Sequence, residues 1–214
     1  FVIYDTDDQR TLLREILREI GADDRRLTPA GAGARISRLK NDGTSPAAFA
    51  AEPSGPLDRQ VAEVYAKYEK ALRDRAAMDF DDLLLYTVRL FDLDPGVHRQ
   101  YADRFRHVLV DEYQDTNAIQ FDLIERLSRT HRNLLVVGDD DQSIYGFRGA
   151  DVSNILNFQH DYPEAKVVRL EQNYRSTANI LAMASSVVAH NSERMEKRLW
   201  TQGPKGPKVQ LGVS

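Results

Sequence analysis

Cysteine is absent from the 214 residues. That single absence removes disulfides, thiolate nucleophiles, iron–sulfur ligation and cysteine-based zinc sites together, and it fits a reducing, cytoplasmic location. No apolar run approaches the roughly 20 residues that a membrane-crossing helix needs, so no membrane partner is expected. The opening stretch, Phe1-Val2-Ile3-Tyr4-Asp5, has neither a basic leader nor an initiator methionine, and the expectation is an internal piece of a longer chain. A strong charge of one sign is lacking too. The balance of 29 Lys and Arg against 33 Asp and Glu, net -4, does not by itself announce a nucleic-acid binder.

What is present is an ordinary globular composition. A hydrophobic content of 42% predicts a real core in one large domain or two small ones. Charge is unevenly spread: after residue 174, Arg175, Arg194, Lys197, Arg198, Lys205 and Lys208 face only Glu193 and Glu196. A solvated basic face and a nucleic-acid contact account equally well for that excess.

In the first half, apolar residues recur at helical spacing, as in Leu12, Leu13, Ile16, Leu17 and Ile20, and again in Val61, Val64, Tyr65, Tyr68 and Leu72. Turn compositions around Thr28-Pro29, Asn41-Asp42-Gly43 and Pro53-Ser54-Gly55-Pro56 separate the helices. Asp79 is placed to cap a further helix with Leu83, Leu84 and Val88 on its inner face. From about residue 107 the pattern changes to short β-rich runs, each followed by a polar cluster. His107 to Val110 ends at Asp111-Glu112, Leu134 to Val137 ends at Gly138 to Gln142, and Val167 to Leu170 ends at Glu171 to Arg175. Strands alternating with helical stretches predict a parallel α/β sheet. Ligands of open α/β sheets bind outside the carboxyl ends of the strands, so the three polar clusters are expected to build one site.

Two adjacent carboxylates after an apolar strand suit a nucleotide hydrolase: one holds magnesium and the other activates water. Helix capping by Asp115, Thr116 or Asn117 is the plainer explanation of acids at that place. In the second cluster, Gln142 offers an amide for a terminal phosphate, Tyr145 and Phe147 offer flat faces for unpaired bases, and Arg148 suits a phosphate or a base. A turn leading into a helix with core-facing aromatics explains the same residues. Arg175 suits charge developing on a transferred phosphoryl group, and Tyr174 suits stacking on a nucleobase. A structural salt bridge is the alternative for Arg175.

Taken together, the strings Val108 to Asn117, Gly138 to Ala150 and Gln172 to Ser176 resemble motifs II, III and IV of the UvrD/Rep-type superfamily 1A helicases, in the same order. Supporting likeness lies in Ile3 to Gln9, Met78 to Leu84 and Asn191 to Thr201. The resemblance implies an α/β fold, a partial RecA-like P-loop NTPase core with a helical inserted subdomain. Residues 1–100 would be the inserted 1B-like part, 101–168 part of the first, 1A-like core, and 169–214 the start of the second, 2A-like core. It implies an ATP-dependent 3′-to-5′ DNA helicase of repair or replication restart that binds ATP, Mg2+, single-stranded DNA, single-strand/duplex junctions and DNA-repair proteins. By the same resemblance Asp111 and Glu112 would hold magnesium, with Glu112, Gln142 and Arg175 catalytic. Tyr174, Gln142 and Arg175 would hold the nucleotide, and Tyr145, Phe147 and Arg148 would touch DNA.

The chain departs from the family in three respects. None of its 12 glycines is followed by lysine, so no phosphate-binding loop is present, and the Gln motif and motifs V and VI are missing as well. Phe147 stands where relatives usually have tryptophan, which leaves stacking with less area. The chain alone is therefore expected neither to hydrolyse ATP nor to unwind DNA. The rival reading is a truncated homologue that binds DNA or protein without motor activity. A metal-dependent nuclease built on Asp111, Glu112 and Asp139 leaves Gln142, Tyr174 and Arg175 without roles.

Overall fold

The computed structural model describes residues 1–22, 26–146, 149–191 and 194–210. Helix α1 (Thr6–Glu19) starts at Asp5, whose carboxylate accepts from the backbone N–H groups of Asp7 and Asp8 while Asp8 reaches back to the Asp5 N–H. This reciprocal box satisfies donors that a helix start otherwise leaves unpaired. Leu12, Leu13, Ile16 and Leu17 of α1 pack with Ala32 and Ile36 of α2 (Pro29–Asn41) and with Val61, Val64, Tyr65, Tyr68 and Leu72 of α4 (Pro56–Asp74), as their spacing predicts. A short α3 (Pro46–Ala51) lies along α4. Each such buried side chain contributes about 1.5–3 kcal/mol relative to exposure, so these three helices hold the main core.

The first hundred residues are not wholly helical. Strand β1 (Val2–Tyr4) pairs in parallel with β2 (Ala77–Asp79), with Val2 opposite Ala77 and Tyr4 opposite Asp79. Strands this short carry too few residues to show an alternating pattern, so periodicity gave no sign of them.

Asp79 then caps α5 (Phe80–Leu93), as its sequence position predicts, and also exchanges hydrogen bonds with Asp82. The buried face differs from the expected Leu83, Leu84 and Val88: Asp82, Leu85, Val88 and Phe91 are buried, with Leu84 partly so. Asp82 turns inward because a buried cation meets it there, and steps of three residues carry the stripe onward from it.

That cation is Lys40, whose side chain has no solvent exposure. Its Nζ lies 2.8 Å from Asp79, 2.7 Å from Asp82 and 2.8 Å from Glu69. The Tyr68 hydroxyl donates to Asp79 at 3.0 Å. The Glu69 contact is an ion pair without hydrogen-bond geometry, since Oε1 accepts no hydrogen bond. Burial lowers the pKa of Lys40, but the carboxylates outweigh it and hold the ammonium above its ordinary range. Burial pushes Asp82 up to about 6 against the pull of Lys40. One lysine thus ties α2 to α4 and to the start of α5.

Helix α6 (Pro95–Arg104) leads to β3 (Val108–Val110), which pairs in parallel with β4 (Leu134–Val136) across α7 (Ala118–Ser128). Two of the three predicted strands therefore form. The third does not: Val167, Val168 and Leu170 are 44%, 66% and 80% exposed and join no ladder. A strand needs a neighbour to take its backbone hydrogen bonds, and no described strand lies beside this run. The nearest pairing is an isolated bridge between Gln172 and Trp200. Short helices α8 (Ser153–Leu156) and α9 (Phe158–Asp161), then α10 (Ala178–Val188), complete the described elements. No helix among the described residues is long and apolar enough to cross a membrane.

Candidate functional site

Strand β3 delivers Asp111 and Glu112 at its carboxyl end, both exposed. The turn is tied to β4 by bonds from Val137 N–H to the Val110 carbonyl (2.8 Å) and from Tyr113 N–H to the Val137 carbonyl (2.9 Å). Glu112 takes a left-handed backbone, φ 49° and ψ 42°. For a non-glycine residue this costs on the order of 1–3 kcal/mol, and such strain gathers at functional sites. A 3-10 turn, Tyr113–Asp115, follows, and α7 starts at Asn117 with a capping box to Gln120.

Gln114 joins the first cluster to the second. It is buried; its amide donates to Glu112 Oε2 at 2.8 Å and its Oε1 accepts from the Asp139 N–H at 3.0 Å. Gly138 makes the approach feasible, because a Cβ there would stand 2.6 Å from Gln114 Oε1 and 2.8 Å from Ile155 Cδ1. In the second cluster Gln142 donates to Asp139 at 2.6 Å. Asp139, Asp140 and Asp141 bunch closely enough to suit a cation, yet a side chain already sits among them. Lys197 Nζ lies 2.5 Å, 2.6 Å and 3.0 Å from the three, and Arg194 grips Asp141 with two nitrogens at 3.0 Å and 2.6 Å. Burial pushes Asp139 and Asp141 upward, but hydrogen bonds from Lys197, with Gln142 on Asp139 and Arg194 on Asp141, hold both below the usual carboxylate range. Two of the six bases in the C-terminal excess are thereby committed within the chain. Tyr145 is exposed, whereas Phe147 and Arg148 lie outside the described residues.

The third cluster stands apart. Asn173 accepts from the N–H groups of Arg175 (2.9 Å) and Ser176 (2.8 Å), a side-chain-closed turn that leaves Tyr174 85% exposed. Residues 172–177 and 201–204 line a recess of about 320 Å³ there, while Asp111, Glu112, Asp115, Thr116 and Gln120 help line another of about 360 Å³. The one site expected from three loops is thus two recesses among the described residues. The third loop is tied toward the second cluster all the same: the Arg198 N–H donates to Glu171 Oε1 at 2.8 Å and the Asn173 N–H donates to the Trp200 carbonyl at 2.7 Å, in the segment whose Lys197 reaches Asp139.

The donors of the first recess fit a hard divalent ion. Asp111, Glu112 and Asp115 offer oxygen only, the ligand chemistry magnesium requires, and Asp115 Oδ1 is buried without a hydrogen-bond partner. Sequence reasoning singled out neither Gln114 nor the buried Lys40 cluster. The one local signal for Gln114 was an amide set between Glu112 and Asp115.

Residues 1–163 match the family model described as the UvrD/REP helicase N-terminal domain. The chain belongs to the UvrD/REP helicase family. Its α/β architecture of short parallel strands among many helices is that of a partial RecA-like helicase domain. This UvrD/REP chain is 45% identical over 209 residues to a protein of Leuconostoc citreum named ATP-dependent DNA helicase PcrA. Proteins of the same name from Bacillus subtilis (strain 168) and Staphylococcus epidermidis (strain RP62A) are each 46% identical, over 209 and 210 residues. Each comparison covers 98% of the chain and 28% or 29% of the relative, so the chain spans less than a third of the length of these relatives.

Proposed function

We propose that the intact protein is an ATP-dependent DNA helicase moving 3′ to 5′ on single-stranded DNA, and that this chain carries part of its nucleotide site and part of its DNA grip. The observation that carries the reading is the buried Gln114 bridge, which couples the Asp111-Glu112 turn to the loop of Gln142. Residues 1–100 act as the inserted 1B-like subdomain, 101–168 as part of the first, 1A-like core, and 169–214 as the opening of the second, 2A-like core. The relatives' name supports ATP use and a DNA substrate; work at single-strand/duplex junctions in repair or replication restart, alongside repair proteins, belongs to the same proposal.

Asp111 and Glu112 would hold magnesium, whose charge would stabilise the phosphate oxygens. Gln114 engages Oε2 of Glu112, leaving Oε1 to accept the proton of the attacking water. Gln142 now donates to Asp139. A terminal phosphate competes for that donor, so its loss returns the amide to Asp139 and changes the loop that reaches Tyr145, Phe147 and Arg148, the proposed contacts to single-stranded DNA. Arg175 neutralises charge on the transferred group, and Tyr174 offers its exposed ring to adenine.

Without a Gly-Lys phosphate loop, the chain alone is proposed to be inactive. A binding module with no motor activity is the alternative that the test below would leave standing. A metal-dependent nuclease built on Asp111, Glu112 and Asp139 finds less support, because Lys197 and Gln142 already engage both Asp139 oxygens. The test is DNA-stimulated ATP hydrolysis by the intact protein. Glu112→Gln should lower turnover by at least about 10²-fold with nucleotide binding retained, and undiminished turnover would refute the assignment.

A further inference from the structure

The cap of α7 carries one more hydrogen bond than capping requires. Asn117 Oδ1 accepts from the Gln120 N–H at 3.0 Å, and Gln120 Oε1 accepts from the Asn117 N–H at 3.0 Å. Ser, Thr or Asp would serve that purpose equally well. Only asparagine among the good caps has a side-chain NH2 as well, and Asn117 Nδ2 donates to Asn41 Oδ1 at 2.9 Å across a separation of 76 residues. Asn41 is itself held firmly: its Nδ2 donates to the Ser37 carbonyl at 2.9 Å and to Asp81 at 3.1 Å, so its oxygen is presented to Asn117. It is 7% exposed and adjoins Lys40, the buried cation of the helical half.

The other end of this link is the Asp111-Glu112 turn. The Asp115 N–H donates to the Glu112 carbonyl at 2.9 Å, and both the N–H and the hydroxyl of Thr116 donate to the Tyr113 carbonyl, at 3.2 Å and 2.7 Å. The Thr116 carbonyl accepts from the Asp151 N–H at 3.0 Å and from Asn154 at 3.1 Å. The turn is thus pinned from the α8 side at Thr116 and from the helical half at Asn117. Strained backbone such as that of Glu112 persists only where its surroundings over-determine it.

We propose that Asn41 is a positioning residue for Glu112, acting through its hydrogen bond to Asn117, so that the helical half of the chain sets the placement of the proposed catalytic carboxylate. This rests on the helicase reading above. Removing the link lets the turn relax about Glu112, and displacements on the order of 1 Å at a reacting group cost rates of up to about 10²-fold.

The experiment is steady-state, DNA-stimulated ATP hydrolysis by the intact protein carrying Asn41→Ala, Asn117→Ser, both together, or Glu112→Gln. Serine keeps the cap and deletes only the bridging NH2. The expected result is a kcat about tenfold lower in each single asparagine variant, a KM for ATP within about twofold of the parent, and a double variant no worse than either single one. A purely structural role would instead lower the melting temperature and the active fraction while leaving the turnover per active molecule unchanged. If Asn41→Ala fails to fold, Asn117→Ser decides alone. Normal kcat in Asn117→Ser, or additive losses, with Glu112→Gln inactive, overturns the link by itself. Normal turnover in Glu112→Gln overturns the helicase assignment of that residue and the link with it.

Discussion

Replacing Lys40 by methionine removes one positive charge and little volume, and leaves Asp79, Asp82 and Glu69 buried around an apolar tip. Breaking a buried ion pair from one side costs about 3–5 kcal/mol, because the remaining charge is stranded without solvent. For a chain of this size about 1 kcal/mol shifts the melting temperature by about 2–4 °C, so Lys40→Met should melt about 6–20 °C below the parent at pH 7. The pH dependence is a second, independent reading. Asp82 is already raised to about 6 in the presence of Lys40. A carboxyl whose folded pKa is raised adds stability that is complete below its ordinary value and is lost as pH rises through the folded value. Lys40 is raised instead, so its contribution is constant across this range. Removing the lysine takes away the pull that lowers Asp82 and so raises it further, and the penalty at pH 5 should be smaller than at pH 7. Circular-dichroism melts of both proteins at the two pH values provide the measurement. A loss below about 3 °C, or an equal loss at both pH values, would refute the account of the cluster as a neutralised buried charge set.

Two further predictions use other parts of the molecule. Gly138→Ala forces a methyl against Gln114 and Ile155 and should destabilise by about 1–3 kcal/mol in urea unfolding; a neutral substitution would mean that the Gln114 bridge does not need the close approach. Tyr174→Ala removes an 85% exposed ring, so stability should stay within about 0.5 kcal/mol. Its nucleotide affinity should fall about two- to tenfold from the lost stacking, measured by titration of a fluorescent ATP analogue, and unchanged affinity would remove Tyr174 from the nucleotide site.

Helices with five apolar residues at the helical period, α1 and α4, were legible because the period repeats long enough to exclude other patterns. The cap at Asp79 was legible for a local reason, a good capping residue just before an apolar run at helical spacing. The run at residues 167–170 has the composition of a strand, but pairing is a property of the neighbour, which composition does not display. Lys40 was invisible because lysine is almost never fully buried without partners, and its partners lie 29 to 42 residues away. Weak signs were its place four residues after buried Ile36 and the acidic run at Asp79, Asp81 and Asp82. The basic excess near the C-terminus leaves a solvated face and a nucleic-acid contact equally open in the sequence for the same reason: Arg194 and Lys197 meet their acids 53 to 58 residues back along the chain. At the site, the residue types of the three clusters were legible from local strings, while the bridge that joins two of them and the separation of the third are tertiary facts.

Glycine adopts the left-handed backbone of Glu112 without steric cost, and asparagine nearly so. A library of variants sorted on folding alone would drift at position 112 toward those residues, whereas, on the catalytic role proposed for Glu112, one sorted on turnover would keep glutamate against that drift. On that reading stability and chemistry pull this one codon in opposite directions, and programmes that harden the protein against heat by screening only for survival would lose the proposed catalytic carboxylate.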